Sequence, residues 1–260
     1  MAKTVENHVV VPAAVTTRWL LGLVGLLLMV GCSGTAPTVE DRSPSSPTLE
    51  ATPSRTPTPT ALASPSTTKA PDVPRRPVLG VDVSHHKGTI DWQRVRADGI
   101  SFAYLKASEG AGFTDPRFAD NLRGAQSAGV RAGGYHYFTL CGEGSSQAEH
   151  FLAVIGKGTT MPPAVDVEFN GNCQPGPPRE ALLIELRAFI DTVEARTGKR
   201  MVVYLYPELE EHYRIADDLD RRQWVRSLDG RPSREWWLWQ KSDSAQIDGI
   251  SSPADLNQLR

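Results

Sequence analysis

Apolar and polar positions divide this chain into two unlike parts. From residue 78 onward, short apolar runs alternate with stretches of helical period. "VLGVDVS" (78–84), "ISFAYLKAS" (100–108), "VRAGGYHYFTL" (130–140), "PPAVDVEF" (162–169), "RMVVYLY" (200–206), "QWVRSL" (223–228) and "EWWLWQK" (235–241) read as strands. Between them, 90–99, 116–129, 145–156, 179–198 and 207–215 read as helices. Phe118, Leu122 and Ala125 share one helical face, and Gly129 closes that element. Ser145 and Ser146 stand where they can cap the third helix. Leu182, Leu186, Ile190 and Val193 form the apolar stripe of the longest.

Strand–helix alternation predicts an α/β fold, a parallel sheet with helices outside it. Seven or eight strands favour a closed, TIM-like (β/α) barrel over an open sheet. The connections after residue 206 are short for full crossover helices, so the barrel should be irregular there. In such barrels the chemistry sits at the C-terminal ends of strands.

The first 77 residues follow another pattern. Lys3 and Arg18 precede an uncharged run, Trp19–Gly31, too short to span a bilayer comfortably and suited to a signal-peptide core. It ends at Cys32 in "LMVGC", which resembles a bacterial lipobox and implies lipidation of Cys32. An ordinary cleaved signal and an uncleaved anchor are the alternatives. Residues 32–77 hold half of the prolines and no aromatic. Such a stretch buries too little apolar surface to offset its ordering entropy and is expected to be a disordered, extended tether. The expected organisation is therefore signal peptide 1–31, tether 32–77 and one folded domain 78–260, exported and facing the cell wall or periplasm.

Net charge refines this little. At −2, with no basic run, the chain does not point to nucleic acid. Cys141 and Cys173 remain in the domain, where an oxidising compartment favours a disulfide over two free thiols.

The acids are more telling. Asp166 and Glu168, in "AVDVE", sit two apart on a strand and so point to the same side. Asp82 comes late in the first strand. Acids sharing one confined barrel mouth drive each other to hold a proton near neutral pH. A protonated acid beside an ionised one is what glycoside hydrolysis needs. A D-x-E triplet alone also fits a turn cap or a metal ligand. No His or Cys sits at ligand spacing around it, and His85 and His86 are strand neighbours that point apart. No metal or cofactor is expected.

"GVDVSHHKGTIDW", "YLKASEGAGFTDPRF", "AGVRAGGYHYF", "QAEHFL", "PPAVDVE", "TGKRMVVY", "WWLWQ" and "GISSPADLN" occur in an order that resembles glycoside hydrolase family 25, the Chalaropsis-type lysozymes, across residues 78–260. The resemblance implies a flattened β/α barrel that hydrolyses the β-1,4 bond between N-acetylmuramic acid and N-acetylglucosamine in peptidoglycan. It implies Glu168 as general acid, Asp166 as its partner, Asp82 and Asp255 completing the acidic cluster, and Glu109 as a motif acid at the substrate. Asp166 is either the nucleophile or the group that orients the substrate's own acetamido group; the N-acetylated sugar favours the second route. Tyr135, Tyr137, Tyr204 and Trp239 are candidate sugar-packing aromatics, with barrel core the alternative for each. Lys87, Leu205 and Arg226 depart from the residues most members carry. The strands before Cys141 and Cys173 should be neighbours, and a minority of members carry similar cysteines, so these two are expected to pair at the rim of the site. A monomer acting on glycan strands, held to a membrane through Cys32, is the resulting expectation. A non-catalytic glycan-binding protein and a chitinase-like enzyme are the rivals.

Overall fold

The structure, a computed structural model, describes residues 76–260. The expected signal peptide, Cys32 and nearly all of the expected tether lie outside the described residues. Nine strands form one sheet: β1 (Val78–Val83), β2 (Ile100–Glu109), β3 (Phe113–Thr114), β4 (Arg131–Tyr137), β5 (Ala164–Val167), β6 (Val202–Leu205), β7 (Arg222–Arg226), β8 (Leu238–Ala245) and β9 (Ala254–Leu259). β3 only extends the end of β2 as a hairpin. The other eight close on themselves in the order β1-β2-β4-β5-β6-β7-β8-β9, with β9 returning to β1. Pairing is parallel from β1 round to β8. β9 runs antiparallel to both its neighbours.

This is the irregular α/β barrel expected, with one correction. The sheet is mixed, because β9 is inverted. Its sequence, "ADLNQL", carries Asp255 and Asn257 at alternate positions, so it lacks the apolar run that marked the other strands. Those polar residues face the barrel mouth, which is why a true strand reads as a loop. β7 also reaches β8 through residues 227–237 without a helix. β8 begins at Leu238, leaving Trp236 and Trp237 before it.

Six α-helices are described: α1 (Trp92–Ala97), α2 (Phe118–Ser127), α3 (Gly144–Ile155), α4 (Arg179–Thr197), α5 (Pro207–Tyr213) and α6 (Ala216–Leu219). The helix expected over 207–215 is α5, and a further short helix, α6, follows it that the sequence reading did not expect. Arg214, in the left-handed region with φ of 50°, ends α5 before α6 begins. α3 is not capped by its serines. Its first amide, from Gly144, donates to Glu185 Oε2 of α4 at 2.7 Å. A Cβ on Gly144 would lie 1.8 Å from the Glu185 carbonyl oxygen, so the two helices meet there backbone to side of helix, and only glycine fits.

Strand alternation sorts the core into two compartments. Outward residues, Val81, Val83, Leu105, Val165, Val167, Val203 and Leu205 among them, pack under the helices against Leu182, Leu186, Phe189, Ile190 and Val193 of α4. Each such burial contributes about 2 kcal/mol. Inward residues Phe102, Tyr104, Met161, Ala164, Val202, Trp224 and Leu238 plug the barrel floor. Gly80 faces inward where a Cβ would come within 2.3 Å of the Phe102 ring, so its missing side chain leaves room for the plug. The plug fills the lower barrel, and polar residues are left to line the mouth.

One polar network is buried behind β4. His136 sits between Ser108 Oγ on Nδ1 (2.9 Å) and Gln147 Oε1 on Nε2 (3.1 Å). Burial lowers its pKa to about 3, so it is neutral. Because Gln147 Oε1 is an acceptor, Nε2 carries the proton and Nδ1 accepts from Ser108. Gln147 also takes the Thr139 amide at 2.8 Å and donates to the carbonyls of Thr139 and Gly142, tying α3 to the loop after β4.

Candidate active site

The mouth of the barrel is a cleft of about 570 Å³. Asp82 comes from β1, Asp166 from β5, Glu168 from the residue just past it, and Asp255 from β9. Three of these stand at C-terminal strand ends. Asp255 is near the start of its strand, and the inversion of β9 brings that start to the same mouth. Asp82 and Asp255 are direct partners across the β1–β9 ladder, so their side chains share one face.

A hydrogen-bond chain fixes this half of the cluster. Trp224 Nε1 donates to Asn257 Oδ1 at 2.8 Å, and Asn257 Nδ2 donates to Asp82 Oδ2 at 2.6 Å. Tyr204 OH donates to Gln240 Oε1 at 3.1 Å. Gln240 Nε2 then reaches Asp82 Oδ2 and Asp255 Oδ1, each at 3.4 Å. Burial raises the Asp82 carboxyl well above the ordinary range, and the nearby Asp255 charge adds to this against the lowering effect of the two amides. Asp255 is raised for the same first reason, with Lys87 and Arg226 pulling it back.

The other half is the same-face pair. Burial raises Asp166 well above the ordinary range, and the Glu168 and Asp82 charges raise it further. Glu168, also raised by burial, is pulled back by its hydrogen bond with Asp166. The two therefore titrate as a pair rather than independently, with the stronger upward pull on the more deeply buried Asp166. Asp166 Oδ1 is buried with no hydrogen-bond partner in the protein.

The loop carrying Glu168 is braced from β4. Asn172 accepts the Leu140 amide on Oδ1 at 2.6 Å and donates from Nδ2 to the carbonyls of Phe138 (3.1 Å) and Glu168 (2.8 Å). Tyr137 OH donates to the Asn170 carbonyl. Cys141 and Cys173 are disulfide-bonded, with Cα atoms 6.2 Å apart, which joins the two loops covalently as the sequence led us to expect.

Of the aromatic candidates, Tyr135, Tyr137 and Tyr204 line the cleft and Trp239 does not. Leu238 and Gln240 are the inward residues of β8, so Trp239 points outward. There its indole Nε1 donates to the Ser227 carbonyl at 2.8 Å and its ring packs against Trp236. Glu109 lines the cleft, paired with the buried Lys106 at 2.6 Å. Lys106 also lies 4.6 Å from the centre of the Tyr137 ring. Trp224, Tyr206, Gln240 and Asn257 are site residues that sequence reasoning did not single out, and Arg226, noted only as a departure from the family, also lines the cleft. The register of "QWVRSL" held the signal for two of them, since Trp224 and Arg226 alternate onto one face. His85 and His86 lie in a 3-10 turn, His85–Lys87, rather than on a strand, with ring centres 4.0 Å apart; His86 lines the cleft, and the His85 ring reaches the buried Asp115 carboxylate at 2.8 Å. Among the described residues no three His, Cys, Asp or Glu side chains converge in a way that could hold a metal ion.

The molecule is thus an eight-stranded, partly inverted α/β barrel with a carboxylate-lined mouth. The sequence profile described as glycosyl hydrolases family 25 matches residues 81–250, and the chain belongs to that family. It is 35% identical over 191 residues to YegX of Escherichia coli O6:H1, a protein of uncharacterized function, covering 69% of this chain and 68% of that one. It is 30% identical over 204 residues to lysozyme M1 of Streptomyces globisporus, covering 70% and 67%. A family 25 glycosyl hydrolase from Bacillus anthracis superposes with a TM-score of 0.66 at 33% identity, covering 72% of this chain and 90% of that one. A bacterial lysozyme from Streptomyces coelicolor gives 0.63 at 28%, covering 72% and 93%.

Proposed function

We propose that this protein is a lysozyme, hydrolysing the β-1,4 bond between N-acetylmuramic acid and N-acetylglucosamine, with Glu168 as general acid and Asp166 as its partner. The observation that carries the reading is one cleft in which two same-face acids, both with raised pKa, stand beside Asp82 and Asp255. The lysozyme names among its relatives agree with the substrate class.

Asp166 Oδ1 is an acceptor with nothing to accept. An acetamido N–H of the substrate supplies the missing donor. Such a bond favours ionised Asp166, and a proton held by the pair then rests on Glu168, where the leaving oxygen needs it. Asp166 in this role steers the acetamido oxygen toward the anomeric carbon. That oxygen attacks as the glycosidic bond breaks and Glu168 donates its proton; water then opens the resulting ring, with Glu168 taking a proton back.

The test is dye release from labelled peptidoglycan, with mass spectrometry of the new reducing ends. Muramic-acid ends are expected. Glucosamine ends alone would make it a chitinase-like enzyme, and no release would make it a binding protein. Glu168→Gln should lower release by about 10²–10⁴-fold while the fold persists; undiminished activity rejects the assignment.

The export expectation belongs to the same reading. We propose that Cys32 carries lipid and holds the enzyme at a membrane, within reach of the wall. Mass spectrometry of the mature N-terminus checks this, a diacylglyceryl-modified Cys32 being expected and an unmodified N-terminus contradicting it.

A further inference from the structure

A mouth lined by six carboxylates, of which Glu109 and Asp243 are paired with cations, is a poor place for an acidic polymer unless a cation offsets the rest. Among the described residues lining the cleft, the permanently charged cations are Lys106 and Arg226. They are differently committed. Lys106 is buried, bonded to Glu109 at 2.6 Å and placed on the Tyr137 ring. Arg226 ends β7 with its side chain 20% exposed. Its Nη2 donates to Asp243 Oδ2 at 2.5 Å, and its guanidinium lies 5.4 Å from the centre of the Tyr206 ring.

A guanidinium carries five N–H donors in a rigid fork. Asp243 engages it through one nitrogen, and Tyr206 backs its plane. The orientation is thus held while most donors are left to the cleft that Arg226 lines. A fork so held matches a carboxylate in two-point geometry, which a flexible ammonium does not.

We propose that Arg226 is a specificity-determining residue that binds a carboxylate borne by the glycan strand, so that acidic strands are cleaved in preference to neutral ones. This rests on the lysozyme reading and names what that site selects. Two sources present the group. A muramoyl sugar stripped of peptide has a free lactyl carboxylate. In a peptide-bearing strand that group is an amide, and the carboxylates sit on the peptide. Oligomers of N-acetylglucosamine carry neither.

The experiment compares kcat/KM on three glycans of equal length: peptide-stripped, peptide-bearing and all-N-acetylglucosamine. In R226A the preference for acidic over neutral glycan should fall about tenfold, mainly through KM, and R226K should restore part of it. The acidic substrate that loses more identifies the source. An unchanged preference, or equal losses on acidic and neutral glycans, overturns the proposal. Should R226A fold poorly, R226Q in the Glu168→Gln background is assayed by binding alone. Weakened capture of either stripped or peptide-bearing glycan supports the assignment, and undiminished capture of both overturns it. If the wild-type enzyme cleaves none of the three, it is the lysozyme reading that has failed, a result distinct from cleavage without preference.

Discussion

At the scale of single residues, the site is built by placing acids where water cannot fully solvate them. Asp166 is the extreme case, a buried carboxyl with one oxygen lacking any protein partner. Its raised pKa makes it a liability to the fold. An acid whose folded pKa lies above its unfolded value contributes stability below the unfolded pKa and loses it as pH rises through the folded one. At neutral pH, Asp166 therefore weakens the fold. Asp166→Asn should abolish activity yet raise the melting temperature by about 2 °C or more at pH 7, with a smaller gain near pH 3. Differential scanning calorimetry at the two pH values checks this, and a lower melting temperature at pH 7 would contradict it. The pairing of Asp166 with Glu168 was legible in the sequence because strand period makes i and i+2 neighbours on a face. The unsatisfied oxygen was not, since it depends on what the other strands leave empty.

At the scale of elements, the loop after β5 and the loop after β4 act as one. Asn172 bridges them with two hydrogen bonds and holds the carbonyl of Glu168, in its own loop, with a third. The disulfide closes a 32-residue separation across the same pair, worth about 3–4 kcal/mol in the chain-entropy account. Asn172→Ala should cost about 2–3 kcal/mol of stability by denaturant titration. It should also lower kcat roughly tenfold with less effect on KM, because a small misplacement of the acid costs the transition state more than the ground state. Loss of stability with kcat untouched would mean that the brace holds the loop but not the acid. The cysteine pairing was readable from strand adjacency together with family resemblance. Asn172 was not, because an asparagine in a polar loop carries no periodic signal. Trp239 fails the other way: aromatic character suggested the cleft, whereas the phase of β8, set by its pairing with β7 and β9, turns it outward.

At the scale of the whole molecule, barrel closure brings acids from β1, β5 and β9 into one dielectric environment. All four have raised pKa values with burial as the first cause. The proposed mechanism needs one proton on the Asp166–Glu168 pair. Activity should fall as pH drops and the pair takes a second proton, and fall again as pH rises and the last one leaves. A bell-shaped kcat/KM profile is expected, displaced upward from the ordinary carboxylate range; a flat profile through neutral pH would contradict it. The sequence by itself determined the strand–helix alternation, the outward apolar faces, and the acids at the ends of β1 and β5, because these follow from periods of 2.0 and 3.6 residues along a local stretch. Only the tertiary structure decided that β9 is a strand at all, that its reversal carries Asp255 to Asp82, and that Trp224, Gln240, Asn257 and Arg226 complete the mouth. Those outcomes depend on which strands become neighbours and in what direction, and no local period encodes that.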